Sequence, residues 1–295
     1  MPTDIVMKDL SLHYKDTRAV DQISCTIQEP GVYGLIGRNG AGKTSLLSLL
    51  ASYRQPTSGT LTIRGEDPFE NWRVMQDVHL VYARDVTEES DTVKTFLKEC
   101  ARYRSSFDMD YARVLLKRFG LNEKKPINKL SEGMKAMVNI IEGLAGNAEI
   151  TMFDEVHHGL DAPSRQLFYD AVLECQEKRP RIMVLSTHLV SEMAYLFDHV
   201  LILHKGRLMT DEPYDAVVER GATVTGEAGR VDEFSLGKAV IDRRTLGKTA
   251  SVMIYGTLSS EDMRKAEEMD LELSGVSLQE LFIHLTKEES DHESA

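Results

Sequence analysis

Short apolar runs separated by polar breaks open the chain. Ile5-Val6, Ile23 to Ile27 and Val32 to Ile36 read as strands, the last two divided by a turn at Pro30-Gly31. Thr60 to Ile63 and Val78 to Tyr82 continue the strand pattern. From Val93 to about Gly120 the period lengthens: Val93, Phe96-Leu97 and Cys100, then Tyr111, Val114 to Leu116 and Phe119 recur at helical spacing. A further helix follows Ser131, a good N-cap, and places Met134, Met137-Val138, Ile140-Ile141 and Leu144 on one side. Then strand and helix alternate through Ile150 to Phe153, Ala162 to Cys175, Ile182 to Leu185, Leu189 to Phe197 and Val200 to Leu203. Such alternation implies a parallel sheet, and the strand-free stretch at about 90–145 implies an inserted helical subdomain.

The pattern changes after about Pro213, so residues 1–213 are expected to form the main domain. Gly221 to Gly229 is small and polar and reads as a linker or loop. Val252 to Tyr255 reads as a strand, and Ser260 to Met269 and Leu278 to Leu285 as helices. Residues 214–287 are therefore expected to form a small α+β accessory segment, followed by an acidic tail at 288–295.

Composition narrows the class of function. The 295 residues are 42% apolar and 28% charged, ordinary for a globular protein with a sizeable core. A net charge of −12 disfavours nucleic acid as a partner and disfavours lone binding to anionic lipid. No apolar run approaches the roughly 20 residues of a membrane helix, and Met1-Pro2-Thr3-Asp4 does not open a signal peptide. The three cysteines, Cys25, Cys100 and Cys175, lack any short spacing, which fits packed thiols in a reducing cytoplasm.

The chemistry begins at Gly37-Arg38-Asn39-Gly40-Ala41-Gly42-Lys43-Thr44, which fits G-x-x-x-x-G-K-[ST] between a strand and a helix. Glycines let backbone N–H groups converge on phosphate oxygens at the positive end of a helix. Lys43 is placed for the β- and γ-phosphates and the Thr44 hydroxyl for Mg2+. Asp154, at the end of the Ile150 strand, would hold the same ion, and Glu155 beside it would act as general base on water. Ser131 and Gly133 open a second helix able to face phosphate, 23 residues before Asp154.

In this order the motifs resemble those of the ATP-binding subunit of ABC transporters, over residues 1 to about 210. Gly37 to Thr44 resembles Walker A, Leu130 to Lys135 the LSGGQ signature, and Ile150 to Glu155 Walker B with its catalytic glutamate. Gly159-Leu160-Asp161 resembles the D-loop, Ser186-Thr187-His188 the switch histidine, and Tyr14 the aromatic residue that stacks on adenine. The resemblance implies an α/β P-loop NTPase (RecA-like) parallel-sheet core with an antiparallel β subdomain. It assigns Glu155 and His188 to catalysis and Thr44 and Asp154 to the metal. Nucleotide contacts fall to Tyr14, Gly37, Arg38, Asn39, Gly40, Ala41, Gly42, Lys43, Thr44 and Ser45, with Ser131, Gly133 and Asp161 contacting nucleotide across a dimer. ATP and Mg2+ are the implied ligands. A homodimer or heterodimer of cassettes and a separate transmembrane permease are the implied partners, on the inner face of the membrane. Phe168-Tyr169, Arg179-Pro180-Arg181 and the Val276 to Phe282 stretch are similar to Gram-positive envelope and antimicrobial-peptide exporters.

Two departures stand out. The family places a Gln between Walker A and the helical subdomain; here Val81-Tyr82-Ala83-Arg84-Asp85 aligns Arg84 with that slot, and Gln76 comes too early. Arg84 would sense the γ-phosphate or turn towards the membrane partner. This substitution also motivates an alternative, a regulatory subunit that binds ATP and hydrolyses it weakly. The second departure is Val156-His157-His158 ahead of the D-loop; adjacent histidines point apart and no third ligand is visible, so no metal site is read there. Trp72 is read as packing. Arg102, Arg104, Lys117, Arg118, Lys124 and Lys125 are read either as a solvated face or as a dock for a permease helix.

Overall fold

The computed structural model describes residues 4–83 and 90–286. In chain order it contains β1 (Ile5–Tyr14), β2 (Thr17–Ile27), β3 (Gly31–Gly37), α1 (Lys43–Leu50), β4 (Ser58–Ile63), α2 (Trp72–Met75), β5 (Val78–Tyr82), α3 (Val93–Tyr103), α4 (Met109–Arg118), α5 (Glu132–Ala145), β6 (Ile150–Asp154), α6 (Ala162–Lys178) and β7 (Ile182–Thr187). There follow α7 (Val190–Met193), β8 (His199–His204), β9 (Arg207–Pro213), α8 (Tyr214–Val218), β10 (Gly221–Glu227), α9 (Ala228–Ser235), β11 (Ala239–Leu246), β12 (Thr249–Tyr255), α10 (Ser260–Glu268), β13 (Glu272–Gly275) and α11 (Leu278–Leu285).

Two compact units result. The first runs to His188 and takes in Tyr195–Asp211; the second takes Leu189–Ala194 and the chain from Glu212. In the first unit a six-stranded sheet has the order β5-β6-β7-β3-β8-β9, and its pairs from β5 through β8 are parallel. Every residue of β3 and β7 is buried, as expected for strands covered on both faces. A three-stranded antiparallel sheet, β2-β1-β4, packs with α1 into one core that includes Ile5, Leu10, Ile23, Leu47, Met152 and Val184. The helical insertion is α3, α4 and α5, each opened by a side-chain cap from Thr92, Asp108 or Ser131.

Registry decides where the chemistry sits. The ladder pairs Asp154 with Ser186 and Ile36 with Thr187, so β6, β7 and β3 end side by side. In an open parallel sheet, ligands bind at these carboxyl ends.

The second unit has a four-stranded antiparallel sheet, β11-β12-β10-β13. Val224, Val231, Phe234, Val252 and Ile254 form its core. Gly221 to Glu227, whose small polar residues predict a linker or loop, is instead a central strand paired with both β12 and β13. Its small residues serve close packing, since a Cβ at Gly226 would lie 2.4 Å from Leu271 Cδ2. The stretch from Leu189 to Phe197, expected to be one helix, is instead the single turn α7 followed by a 3-10 turn at Ala194–Leu196. Trp72 is not packed; it is 71% exposed, with the Arg73 guanidinium over its ring at 5.8 Å. Two of the basic residues are engaged internally: Arg104 donates to the carbonyls of Gln76 and Val78, and Arg118 pairs with Glu174 at 2.6 Å. Cys25 and Cys175 are buried and Cys100 half-buried, and none of the three forms a disulfide among the described residues.

Candidate nucleotide-binding site

Between β3 and α1 the chain makes a tight loop whose last residue, Gly42, has φ 107°. A side chain there would put Cβ 2.2 Å from the Ala19 carbonyl oxygen, so glycine is required on both counts. α1 has no acidic residue in its first turn, which leaves its positive end uncompensated. Lys43 is 5% exposed, and its Nζ donates to the carbonyls of Gly37 at 2.7 Å and Arg38 at 3.3 Å. The same ammonium stands 2.9 Å from Glu155 Oε1. Asn39, Gly40, Ala41 and Ser45 line an open cleft of about 630 Å³ above this loop. Arg18 and Lys205 add two cations to its walls. Neither had been singled out in the sequence, because strand β2 and the turn after β8 reach the cleft only through the fold.

At the ends of β6 and β7 the polar groups converge. Thr44 Oγ1 donates to Asp154 Oδ2 at 2.7 Å, and Ser186 Oγ donates to Asp154 Oδ1 at 2.6 Å. Ser186 thereby fixes the Asp154 carboxylate, a role the sequence had not assigned. Glu155 has φ 49°, a left-handed conformation costing of order 1 kcal/mol for such a residue and common at functional sites. Its Oε2 lies 3.0 Å from His158 Nε2, and its Oε1 lies 3.5 Å from His188 Nδ1. Burial works to raise the Glu155 pKa, but the Lys43 bond and charge, with the two histidines, hold it below the usual carboxylate range. Hydroxyl and carboxylate oxygens 2.7 Å apart, beside a phosphate-type loop, are the hard donor set that Mg2+ prefers.

Comparison with known proteins gives the same assignment. The sequence pattern of the family described as ABC transporter matches residues 20–158. The chain is 30% identical over 216 residues to the ABC transporter ATP-binding protein NatA of Bacillus subtilis (strain 168), covering 70% of this chain and 87% of that one. It belongs to the ABC transporter ATP-binding family. The chain is also 29% identical to the bacitracin transport ATP-binding protein BcrA of Bacillus licheniformis, over 75% of this chain and 73% of that one. Its fold is that of a solved ATP-binding subunit of an ABC transporter, with TM-score 0.65 at 24% identity over 72% of this chain and 91% of that one. Family members bind ATP, generally with Mg2+, dimerise and work with transmembrane permease components. Among the described residues no helix is long and apolar enough to cross a membrane.

The remaining ABC motif residues lie away from the loop. Ser131 caps α5, accepting from the Met134 N–H at 3.3 Å. A Cβ on Gly133 would meet the Gly159 carbonyl oxygen at 2.6 Å, so the signature helix starts in backbone contact with the turn that carries His158. Asp161 caps α6 by accepting from the Ser164 N–H at 3.0 Å, and hydrogen bonding from the Ser164 hydroxyl, then from its backbone, holds the carboxyl below the ordinary value. Tyr14 is 41% exposed at the end of β1. Among the described residues, the lining of the cleft includes none of Tyr14, Ser131, Gly133 and Asp161. Arg84 lies outside the described residues.

The two histidines divide. His157 is buried, 2% exposed, and burial lowers its pKa to about 4. His158 is half-exposed and shares a cluster with Glu155 and His188. The sequence spacing had offered no third ligand, because His188 comes from another strand end.

Proposed function

We propose that this ABC subunit hydrolyses Mg2+-ATP as one half of a head-to-tail dimer and drives export of a peptide, drug or envelope component through a separate permease. The observation that carries the reading is the convergence of Lys43, Thr44, Asp154, Glu155 and His188 at one end of the parallel sheet.

Lys43 pairs with Glu155 and donates to two carbonyls. Phosphate competes for that ammonium, so binding ATP and releasing Glu155 are one event. Thr44 and Asp154 would hold Mg2+, which when bound would neutralise phosphate charge. Glu155 then loses the neighbour that most depresses its pKa while staying partly buried, which makes it a stronger base towards water. His188, 3.5 Å from the Glu155 carboxylate, orients it. One loop and one signature per chain leave the γ-phosphate half enclosed; Ser131 and Gly133 of a second chain would close it, and hydrolysis would release that closure.

Export is supported by the likeness to a Nod factor export ATP-binding protein of Burkholderia lata, 28% identical. A methionine import ATP-binding protein of Bacillus subtilis is as similar, at 29%, so direction is decided by transport into or out of vesicles carrying the cognate permease. The peripheral, inner-face location follows from the same reading.

The test is Mg2+-dependent ATP hydrolysis by the purified chain and by Glu155→Gln, with mass by light scattering. Loss of a general base lowers turnover by about 10²-fold or more, and the variant accumulates as an ATP-bound dimer. Negligible hydrolysis by the unaltered chain at every permease and cassette combination favours the regulatory subunit instead.

A further inference from the structure

The turn between Asp154 and Asp161 carries a residue that the ATPase reading does not use. His158 is held on it by local bonds, its own N–H to the Glu155 carbonyl at 3.1 Å and the Leu160 N–H to the His157 carbonyl at 3.2 Å. His157, the next residue on the same turn, is buried. His158 is therefore presented on a fixed support, with its ring centroid 5.0 Å from that of His188. One ligand atom from each of Glu155, His158 and His188 lies within 4.8 Å of the others.

We propose that Glu155, His158 and His188 form a binding site for a zinc-class divalent ion, distinct from the Mg2+ site, whose occupation stops hydrolysis. Two imidazoles and a carboxylate are a donor set used by zinc enzymes, with the fourth position left to water. Imidazole suits Zn2+, Co2+ and Cu2+ far better than Mg2+, whose oxygen donors here are Thr44 and Asp154. Zinc ligands at about 2.1 Å in tetrahedral array stand about 3.4 Å from one another. Glu155 Oε2 stands 3.0 Å from His158 and Oε1 3.5 Å from His188, and one ligand atom from each of the three lies within 4.8 Å of the others, so side-chain rotations bring the set onto an ion.

The metal would engage the carboxylate that faces water and the histidine that orients it. It would compete with Lys43 for the carboxylate and free that ammonium for phosphate, with no ligand taken from the backbone of the loop at Gly37 to Ser45. ATP binding thus persists while turnover stops. This inhibitory consequence rests on the assignment of Glu155 as the base; the binding site itself does not.

The experiment titrates Co2+ into the full chain without nucleotide, then adds Zn2+. The expected result is the intense visible absorption of four-coordinate cobalt, bleached by zinc. It should be lost in His158→Asn and restored, with a near-ultraviolet thiolate-to-cobalt band, in His158→Cys. The cysteine variant guards against loss through misfolding. In ATPase assays Zn2+ should lower kcat about tenfold or more with KM little changed, and His158→Asn should need about tenfold more Zn2+ for the same effect. A cobalt spectrum unchanged in His158→Asn, or the absence of a four-coordinate spectrum, overturns the site. Zinc inhibition that raises KM and persists in His158→Asn overturns it too. A cobalt spectrum that depends on His158, in a chain whose hydrolysis ignores zinc, keeps the site and overturns Glu155 as the base. A chain that hydrolyses no ATP still gives the cobalt result, so the two readings fail separately.

Discussion

Lys43 Nζ stands 2.9 Å from Glu155 Oε1, and the group read as the phosphate ligand is thereby paired with the group read as the base. An ammonium only 5% exposed needs such a partner, because an unpaired buried charge is strongly unfavourable. On the function proposed above, nucleotide would draw Lys43 away from Glu155 and so tie the arrival of phosphate to the freeing of the carboxylate.

This coupling makes Lys43→Ala informative. Ligand that binds only the folded state stabilises it by about 2.7 kcal/mol at a hundred times its Kd. The unaltered chain should therefore show a clear rise in Tm with saturating Mg2+-ATP, and chelation of Mg2+ should remove most of it. Lys43→Ala should lose the rise altogether. Differential scanning fluorimetry with and without nucleotide checks it, and an undiminished rise would detach Lys43 from phosphate binding.

Gly133 carries a second prediction. A methyl group there would sit 2.6 Å from the Gly159 carbonyl oxygen, a backbone atom that cannot rotate away. Gly133→Ala should cost about 1–3 kcal/mol, as overpacking does. The strain falls on the turn that carries Glu155 and His158, so turnover should drop further than ATP affinity. Urea unfolding paired with nucleotide binding separates the two effects; equal losses in both would mean that the turn does not transmit the strain.

The parallel core and the phosphate loop were legible because each is a local pattern: buried strands written as continuous apolar runs, and glycines at fixed offsets before Lys43. Asp154 and Glu155 were legible for the same reason, at the end of one such run. The role of Ser186 on Asp154, the cations Arg18 and Lys205 and the meeting of His158 with His188 were not, since each depends on which strand ends adjoin. β10 was misread because its small residues, chosen for close packing against Leu271, look like linker composition. Trp72 was misread because size alone says nothing about which face a four-residue helix presents.

His157 gives a pH signature. It is 2% exposed, and burial holds its pKa at about 4, against an ordinary 6.5. Between these values the unfolded chain binds a proton that the folded chain does not, so folding stability rises with pH across that window. The contribution is fully present above pH about 6.5 and is lost as pH falls through about 4. From pH 7 to pH 5 the loss comes to about 2 kcal/mol. Carboxylates change stability over the same range, so the comparison is with His157→Leu, which removes this term alone and keeps an apolar side chain in the space. Urea midpoints at pH 7 and pH 5 should fall less steeply in His157→Leu than in the unaltered chain. Equal slopes would mean that His157 takes up its proton in the folded state as readily as in the unfolded one.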